Sequence, residues 1–543
     1  MASSDSAVRL HSLDVEAGRE DHSQAGFTTR RTILGKRNVI EYQHRRRNDM
    51  LLSLGLLELG NATDFAANVW NGTPPPTISI VFMALGGTAA LTILAFAYRD
   101  IPRTWRNSQL LRRERAGLRA RLDACTKTKN TTPGRLTEHD LLTHVDVNTR
   151  ELGNEYVDRL AMGLTLGFGA FTVGIGTYLA IAGANDVAFL ASNILTGYLG
   201  NIPAAIYGLG NAAWCTYGWR RAESHNQSVR EKLPDSSPWG ARVYILGLVQ
   251  QREGRVKTHA LINGISGMLG GIGSLMTATA YIHPHAVWGY LILIPCVVSA
   301  MFANIMWRKR INYDRDLTEP VALDGETLLL DTGYAALRER LVAEYCRTAG
   351  VYHWPPLSGR RKARRPADLP ERMHAFVLGF LRLHVEMLTH RNARLLDKIP
   401  VVAAKPPTID GSAVLQSLRE QHNRTTLSLA ETKTMLSTLN HSKSPSLQVL
   451  VKSLLAVLTD LNILPELYVR LANSSSTSFL VNGVDIDLDA MEEILGDDED
   501  ACTAFLRTAE AVLVNEGVEA ARSRTRYLLE VVGCFWQEVK WGV

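Results

Sequence analysis

The chain has 543 residues, of which 59 are basic and 54 acidic, and its formal net charge is +5. This length exceeds a single compact core, so two or more structural units are expected, while so small a basic excess gives no support for nucleic-acid binding. The six cysteines include no CxxC pair and no regular spacing, so neither a disulfide framework nor a zinc site is indicated.

The first 49 residues are polar and predict a basic cytosolic tail that ends in Arg45, Arg46 and Arg47. The first candidate membrane span, Met50–Trp70, follows at once. It is marginal, because it carries two carboxylates and two amides. A carboxylate in mid-membrane costs about 2.5–3.5 kcal/mol on insertion scales. The polar residues of this span are Glu58, Asn61, Asp64 and Asn68.

Five further stretches each contain about the 20 apolar residues that cross a ~30 Å hydrocarbon layer. With the first span they form three helical hairpins, at 50–98, 157–218 and 259–307, which are separated by cytosolic segments at 99–156 and 219–258. The five stretches are residues 77–98, 159–182, 187–214, 259–282 and 286–307.

The distribution of Arg and Lys sets the predicted topology. The connections at 71–76, 183–186 and 283–285 contain neither residue, whereas the opposite ends of the spans are rich in both. The positive-inside rule therefore predicts six spans in an integral, multi-pass membrane protein, with both termini in the cytosol. Were Met50–Trp70 not to cross, the three arginines before it would lie on the outer side.

The polar residues of the first span form one stripe. In a helix, Asn61, Asp64 and Asn68 fall within about 60° of one another, and Glu58 lies within about 120° of that group. Facing lipid would be costly, so the stripe should face the bundle, a second protomer or water. Two interpretations stay open, namely a cation or proton site and interhelical hydrogen bonding. Asparagines available as partners in other spans are Asn193, Asn201, Asn211 and Asn263.

Pro203, in the fourth span beside Asn201, predicts a helix kink, because proline removes a backbone hydrogen bond. Broken helices line transporter sites, but proline kinks also occur in packed bundles. Glycines are dense in the third to fifth spans, where Gly163-xxx-Gly167 permits close helix approach. This pattern is typical either of tight packing within the bundle or of a seam between two copies in a homo-oligomer.

Residues 308–543 predict a cytosolic helical domain, interrupted by a proline-rich basic linker at 351–370. Five basic residues in the linker could attract anionic lipid by about 1 kcal/mol each, or simply be solvated. The apolar segment 446–464 contains Lys452 and Asp460, which favours a buried soluble helix over a seventh span. The basic run is Arg360, Arg361, Lys362, Arg364 and Arg365.

The fold class expected from these patterns is all-α. No P-loop, GxSxG, HExxH or dinucleotide-binding glycine pattern occurs in a usable context, so no enzyme, cofactor or metal is predicted. Because most of the mass lies on one side of the bilayer, the leading hypothesis is a membrane-embedded scaffold or adaptor for a cytosolic protein partner. The alternative is a transporter of protons, cations or small solutes that uses the polar stripe with Asn201.

Overall fold

The structure is a computed structural model of the chain. It is almost entirely helical where it is described, which confirms an all-α protein in outline. The described residues are 27–31, 38–42, 45–46, 65, 67, 74–127, 136–233, 241–278, 288–317, 322–348, 369–397, 428–441, 447–461, 463, 467 and 499–541.

Among the described residues, the first part of the chain forms eight helices, three of which are extended by a π-helical turn. In chain order they are α1 Thr77–Tyr98, α2 Ile101–Lys127, α3 Glu138–Asn154, the π-helical segment Glu155–Ala161, α4 Met162–Ile181, α5 Asp186–Asn193, the π-helical segment Ile194–Leu199, α6 Gly200–Lys232, α7 Ala241–Ala278, α8 Gly289–Met306 and the π-helical segment Trp307–Ile311.

In its described ranges the second part forms six more helices, and the four short strands seen there and in the N-terminal tail belong to that tail and to the link between the two parts. The helices are α9 Gly325–Thr348, α10 Leu369–Asp397, α11 Leu429–His441, α12 Leu447–Asp460, α13 Glu499–Val512, the π-helical segment Leu513–Gly517 and α14 Val518–Trp541. The strands are β1 Phe27–Arg31, β2 Asn38–Tyr42, β3 Arg45–Arg46 and β4 Arg315–Asp316.

The strands form two antiparallel pairs that the sequence pattern did not predict. In β1–β2, Phe27 lies opposite Tyr42, and in β3–β4, Arg45 lies opposite Asp316. Strands of five and two residues are too short for a polar–apolar alternation to be recognised. The β3–β4 pair joins the N-terminal tail to the chain directly after α8.

Four helices in the described part of the chain are long and apolar enough to cross a membrane: Thr77–Ala95, Glu138–Ile181, Val243–Thr277 and Gly289–Ile311. They coincide with the second, third, fifth and sixth predicted spans. The fourth prediction falls on α5, α6 and the π-helical turn between them, where asparagines lower the apolar content. The first prediction lies outside the described residues except at Phe65 and Ala67.

The apolar helices expose large side chains outward and pack through small ones. Leu85, Leu209 and Leu291 are each more than 60 % exposed. By contrast, a Cβ placed on Gly208 of α6 would lie 2.2 Å from the carbonyl oxygen of Gly267 in α7, so the two backbones touch. Large apolar groups outside and glycine contacts inside are typical of a bundle surrounded by lipid.

Three helices continue far beyond the apolar layer. The helix that includes α3 and α4 runs over 44 residues, and α7 has 38, about twice the number that a bilayer requires. The segments that the sequence analysis described only as connections are therefore largely helical. The charged ends of α3, α6 and α7 pack around α14, where Val147, Val229 and Val249 contact Val532 in one apolar core.

Helices α9 to α13 form a second core beside this junction. Phe376 and Phe380 of α10 pack with Leu454 of α12 and Phe505 of α13, and all four side chains are buried. The helix α12 within the apolar 446–464 segment is thus covered by other helices on its apolar face. The π-helical turn Leu513–Gly517 then leads the chain from this core into α14.

Candidate functional site

A buried carboxylate, Glu530 of α14, joins the C-terminal helix to the three long helices. It accepts hydrogen bonds from Arg150 of α3, Arg221 of α6 and Arg252 of α7, and Arg221 Nη2 lies 3.1 Å from Glu530 Oε1. Glu530 is fully buried. One side chain of α14 therefore contacts a guanidinium group from each of three separate helices.

The electrostatics of this cluster keep Glu530 ionised. Burial alone would raise the pKa of its carboxyl, but the charges of Arg150, Arg252 and Arg221 outweigh burial and hold that pKa well below its usual range. A buried ion pair adds little net stability when complete, because desolvation offsets attraction. Removing one partner is costly, since it leaves charge buried without compensation, so the cluster specifies where α14 sits.

Arg221 also contacts a second set of groups. Its Nη2 lies 2.8 Å from Asp146 Oδ2 and 2.9 Å from Cys534 Sγ, and His225 Nε2 is 4.0 Å from the same sulfur. Asp146, His225 and Cys534 are ligand types that zinc accepts, and their donor atoms lie within 4.8 Å of one another. The guanidinium of Arg221 already touches two of the three, however, so the present arrangement does not fit a metal ion.

A second ionic cluster lies one turn further along the same long helix. Arg46 Nη1 lies 3.1 Å from Glu151 Oε1, and its Nη2 lies 3.3 Å from Glu155 Oε1. Arg315 Nη2 is 2.7 Å from Glu151 Oε2. In the sequence, Arg46 counts only as one of the positive charges that set the predicted membrane topology. The structure buries it against two carboxylates, which anchors β3 to α3.

The same cluster reaches the start of α2. Arg159 donates to both oxygens of Asp100, at 2.9 and 3.0 Å, and to Glu155 Oε2 at 3.0 Å. One signal for this cluster was present in the sequence, because Glu151, Glu155 and Arg159 follow one another at four-residue spacing on the helix that leads into a span.

A small cavity lies beside the Glu530 cluster. It has a volume of about 40 Å³ and is lined by Asp158, His259 and Asn154, together with Arg150 and Arg221. A site needs about 10–15 Å³ on this measure to hold one water, so roughly three waters fit. An adjoining pocket of about 10 Å³ shares Asp158 and His259. Asn263, Asn304, Tyr207, Met162 and Trp307 complete its wall.

Two π-helical turns shape this cavity. Asp158 lies within the segment Glu155–Ala161, and Trp307 opens the segment Trp307–Ile311, with its ring 4.9 Å from that of His259. A π-helical turn inserts an extra residue and changes the direction in which side chains point, and such turns are frequent at functional sites.

The structure describes only some of the residues that the sequence analysis singled out. The polar stripe Glu58, Asn61, Asp64 and Asn68 lies outside the described residues, as does the basic run Arg360, Arg361, Lys362, Arg364 and Arg365. Asn201 is buried and donates to the carbonyl of Thr196 at 3.0 Å. Its Oδ1 has no hydrogen-bond partner within the described ranges.

Pro203 lies inside α6, four residues after the last residue of a π-helical turn, Leu199. A proline ring crowds the carbonyl four residues earlier, so the altered hydrogen bonding of that turn falls where the ring requires it. The bend expected at Pro203 stays a prediction. Two of the asparagines named as candidate partners for the polar stripe bond to each other, since Asn263 Nδ2 donates to Asn211 Oδ1 at 3.2 Å. Contacts of the stripe itself stay a prediction.

In comparisons with known proteins, no family model, no curated protein and no solved structure matches the chain.

Proposed function

We propose that the protein is a membrane-embedded scaffold that holds a helical domain in a fixed position at the cytosolic face of a membrane. The observation that carries this proposal is the Glu530 cluster, in which guanidinium groups from α3, α6 and α7 converge on one side chain of α14. A domain attached by a flexible linker has no need of such a junction. A scaffold does, because it must present its binding surface in one orientation.

The proposed topology has six spans, with both termini and the C-terminal helical domain in the cytosol. Support for the first span comes from Phe65, which packs edge-on against Tyr290 at a ring distance of 5.1 Å, and from Ala67, which is buried beside Met83 and Ala180. Support for the fourth comes from α6, whose exposed leucine and isoleucine side chains resemble those of the four apolar helices.

The partners proposed for the scaffold are the lipid bilayer and a cytosolic protein bound by the helical domain. The basic run at 360–365 would add attraction to anionic lipid, and a second copy of the chain is a further candidate partner. These partners rest on the placement of charge and mass along the sequence.

The scaffold proposal is tested by photo-crosslinking in cells with full-length protein. A crosslinking amino acid at Lys433 or Thr438, two exposed positions on α11, should capture a small reproducible set of proteins. Glu530→Gln should reduce this capture while membrane insertion persists, whereas Glu344→Gln, which removes an exposed carboxylate, should not. Equal capture by Glu530→Gln, or no capture by either site, would count against the scaffold.

A second candidate is transport of a proton, cation or small solute. The observation that favours it is Asn201, whose buried Oδ1 lacks a partner in the described bundle beside the π-helical turn and Pro203. Glu58→Gln and Asp64→Asn should then alter ion or proton flux into vesicles that contain normal amounts of protein. Absence of flux through the unmodified protein would remove this candidate.

A further inference from the structure

We propose that the pocket beside Asp158 binds one monovalent metal cation, with the Asp158 carboxylate as counter-charge and the amide groups of Asn263 and Asn304 as oxygen ligands. This inference is independent of the scaffold proposal, since a bound ion can complete the bundle whether or not the helical domain recruits a partner.

Within the described ranges, no Lys, Arg or His nitrogen lies within ion-pair distance of the Asp158 carboxylate, although other buried carboxylates nearby have such partners. Glu530 has three arginine partners, and four further carboxylates in this region have at least one arginine partner each. A carboxylate among packed helices without a basic partner must take up a proton or a cation. The four are Asp100, Glu151, Glu155 and Glu253.

The arginines nearest the cavity are already engaged. Arg150 and Arg221 line the larger cavity, but both donate to Glu530, and Arg221 also contacts Asp146. Glu253, which lines the same cavity, is paired with Arg252. These charged groups are therefore paired with one another, and Arg150 offsets the charge of Asp158 only from beyond ion-pair distance.

Asn263 uses its amide nitrogen to donate to Asn211 Oδ1 at 3.2 Å and to Cys215 Sγ at 3.5 Å. The oxygen of the same side-chain amide is therefore the atom able to coordinate a cation in the pocket. Asn304, from α8, lines the same pocket with the carboxylate of Asp158. Carboxylate and amide oxygens are the donors that hard cations prefer.

The pocket of about 10 Å³ accommodates one particle of the size of a water molecule. The adjoining cavity of about 40 Å³ supplies room for water molecules that complete the coordination. A single carboxylate balances one positive charge, so a divalent ion would leave an unpaired charge buried. The observations therefore favour a monovalent ion.

The test uses the purified full-length protein in detergent, with sodium chloride as the probe and choline chloride at equal ionic strength as the reference. Sodium should raise the midpoint of thermal unfolding by an amount that grows with the logarithm of its concentration once this exceeds the dissociation constant, and choline should not. Potassium chloride measured alongside gives the selectivity among monovalent ions.

Two variants assign the effect to the pocket. Asp158→Asn should abolish the sodium response, while Asp123→Asn, the same change at an exposed position on α2, should retain it. Asn304→Ala removes one ligand and should raise the sodium concentration needed for a given increase of the midpoint by on the order of tenfold. This variant also serves if Asp158→Asn fails to fold.

Four results would overturn the inference. An equal response to sodium and choline would show a general salt effect. A sodium response that persists in Asp158→Asn, or one unchanged in Asn304→Ala, would place the ion elsewhere. A midpoint that depends on pH through Asp158 but on no metal cation would show that a proton neutralises the carboxylate. None of these outcomes bears on crosslinking from α11, so the two proposals fail separately.

Discussion

The Glu530 cluster and the Asp158 pocket are neighbours that differ in how the negative charge of a carboxylate is balanced. Glu530 accepts hydrogen bonds from three arginines, whereas Asp158 has no basic partner at ion-pair distance in the described structure. Arg150 and Arg221 line the cavity next to Asp158 and yet point their charge at Glu530. Fixed compensation makes a rigid joint between helices, and missing compensation leaves a place for a mobile ion.

The largest expected effect breaks the compensated side of this comparison. Glu530→Gln leaves three buried guanidinium groups with too little negative charge and should lower the free energy of unfolding by about 3–5 kcal/mol. Denaturant unfolding of the full chain in detergent, followed by circular dichroism, measures the change. Glu344→Gln should change stability little, because Glu344 and Arg347 are exposed. A loss no larger than that of the control would show that the cluster does not secure α14.

A second prediction tests the close packing of α6 against α7. Gly208→Ala would place a Cβ 2.2 Å from the carbonyl oxygen of Gly267 and force α6 and α7 apart, at a cost of about 1–3 kcal/mol. Gly210→Ala is the matched control, because no atom lies within 4 Å of the Cβ position there. Unfolding of the two variants under identical conditions gives the comparison, and equal stabilities would contradict the close packing of α6 and α7.

A third prediction follows from the pKa of Glu530, which its arginines hold below the usual range although burial opposes them. Stability that depends on ionised Glu530 is fully present above the unfolded-state pKa, about 4.3, and is lost as the pH falls through the lower folded-state pKa. The stability difference between the native chain and Glu530→Gln should therefore stay constant from pH 8 to about pH 5 and shrink below about pH 4. A difference that shrinks between pH 7 and pH 6 would contradict this assignment.

The smallest expected effect sharpens the contrast directly. Asp158→Asn makes the same carboxylate-to-amide change as Glu530→Gln, but it removes a charge that has no basic partner at ion-pair distance in the described structure. In choline chloride, without metal cations, the variant should therefore be at least as stable as the native chain. Unfolding of both proteins in that salt is the measurement. A loss comparable to that of Glu530→Gln would mean that Asp158 has a cationic partner after all.

Much of the helical layout could be predicted from sequence, because apolar runs of about 20 residues and the placement of arginines carry a strong signal. Four of the predicted spans coincide with long apolar helices. The lengths of α3 and α7 were not predicted, since their charged halves resemble ordinary solvated connections. The first span lies almost entirely outside the described residues, so its polar stripe stays a prediction.

The candidate site was mostly missed, and the reason is physical. Glu530 and Arg150 are 380 residues apart, and no local pattern relates them. Asp158 received no role in the sequence analysis, because nothing in the sequence indicates the π-helical turn around it. Asn263 and Asn211 were recognised only as candidate partners for the polar stripe, and the contact between them depends on Gly208 and Gly267 allowing two backbones to touch.

The central claim is that Glu530 fixes the helical domain on the long helices, and a distance distribution tests it most directly. Spin labels at Val243→Cys on α7 and Lys433→Cys on α11, both exposed, can be introduced with Cys125→Ser, since the other five cysteines are buried. Pulsed electron resonance on the full chain should give one narrow distribution, which Glu530→Gln broadens. A broad distribution with Glu530 intact, or an unchanged narrow one in the variant, would contradict the account.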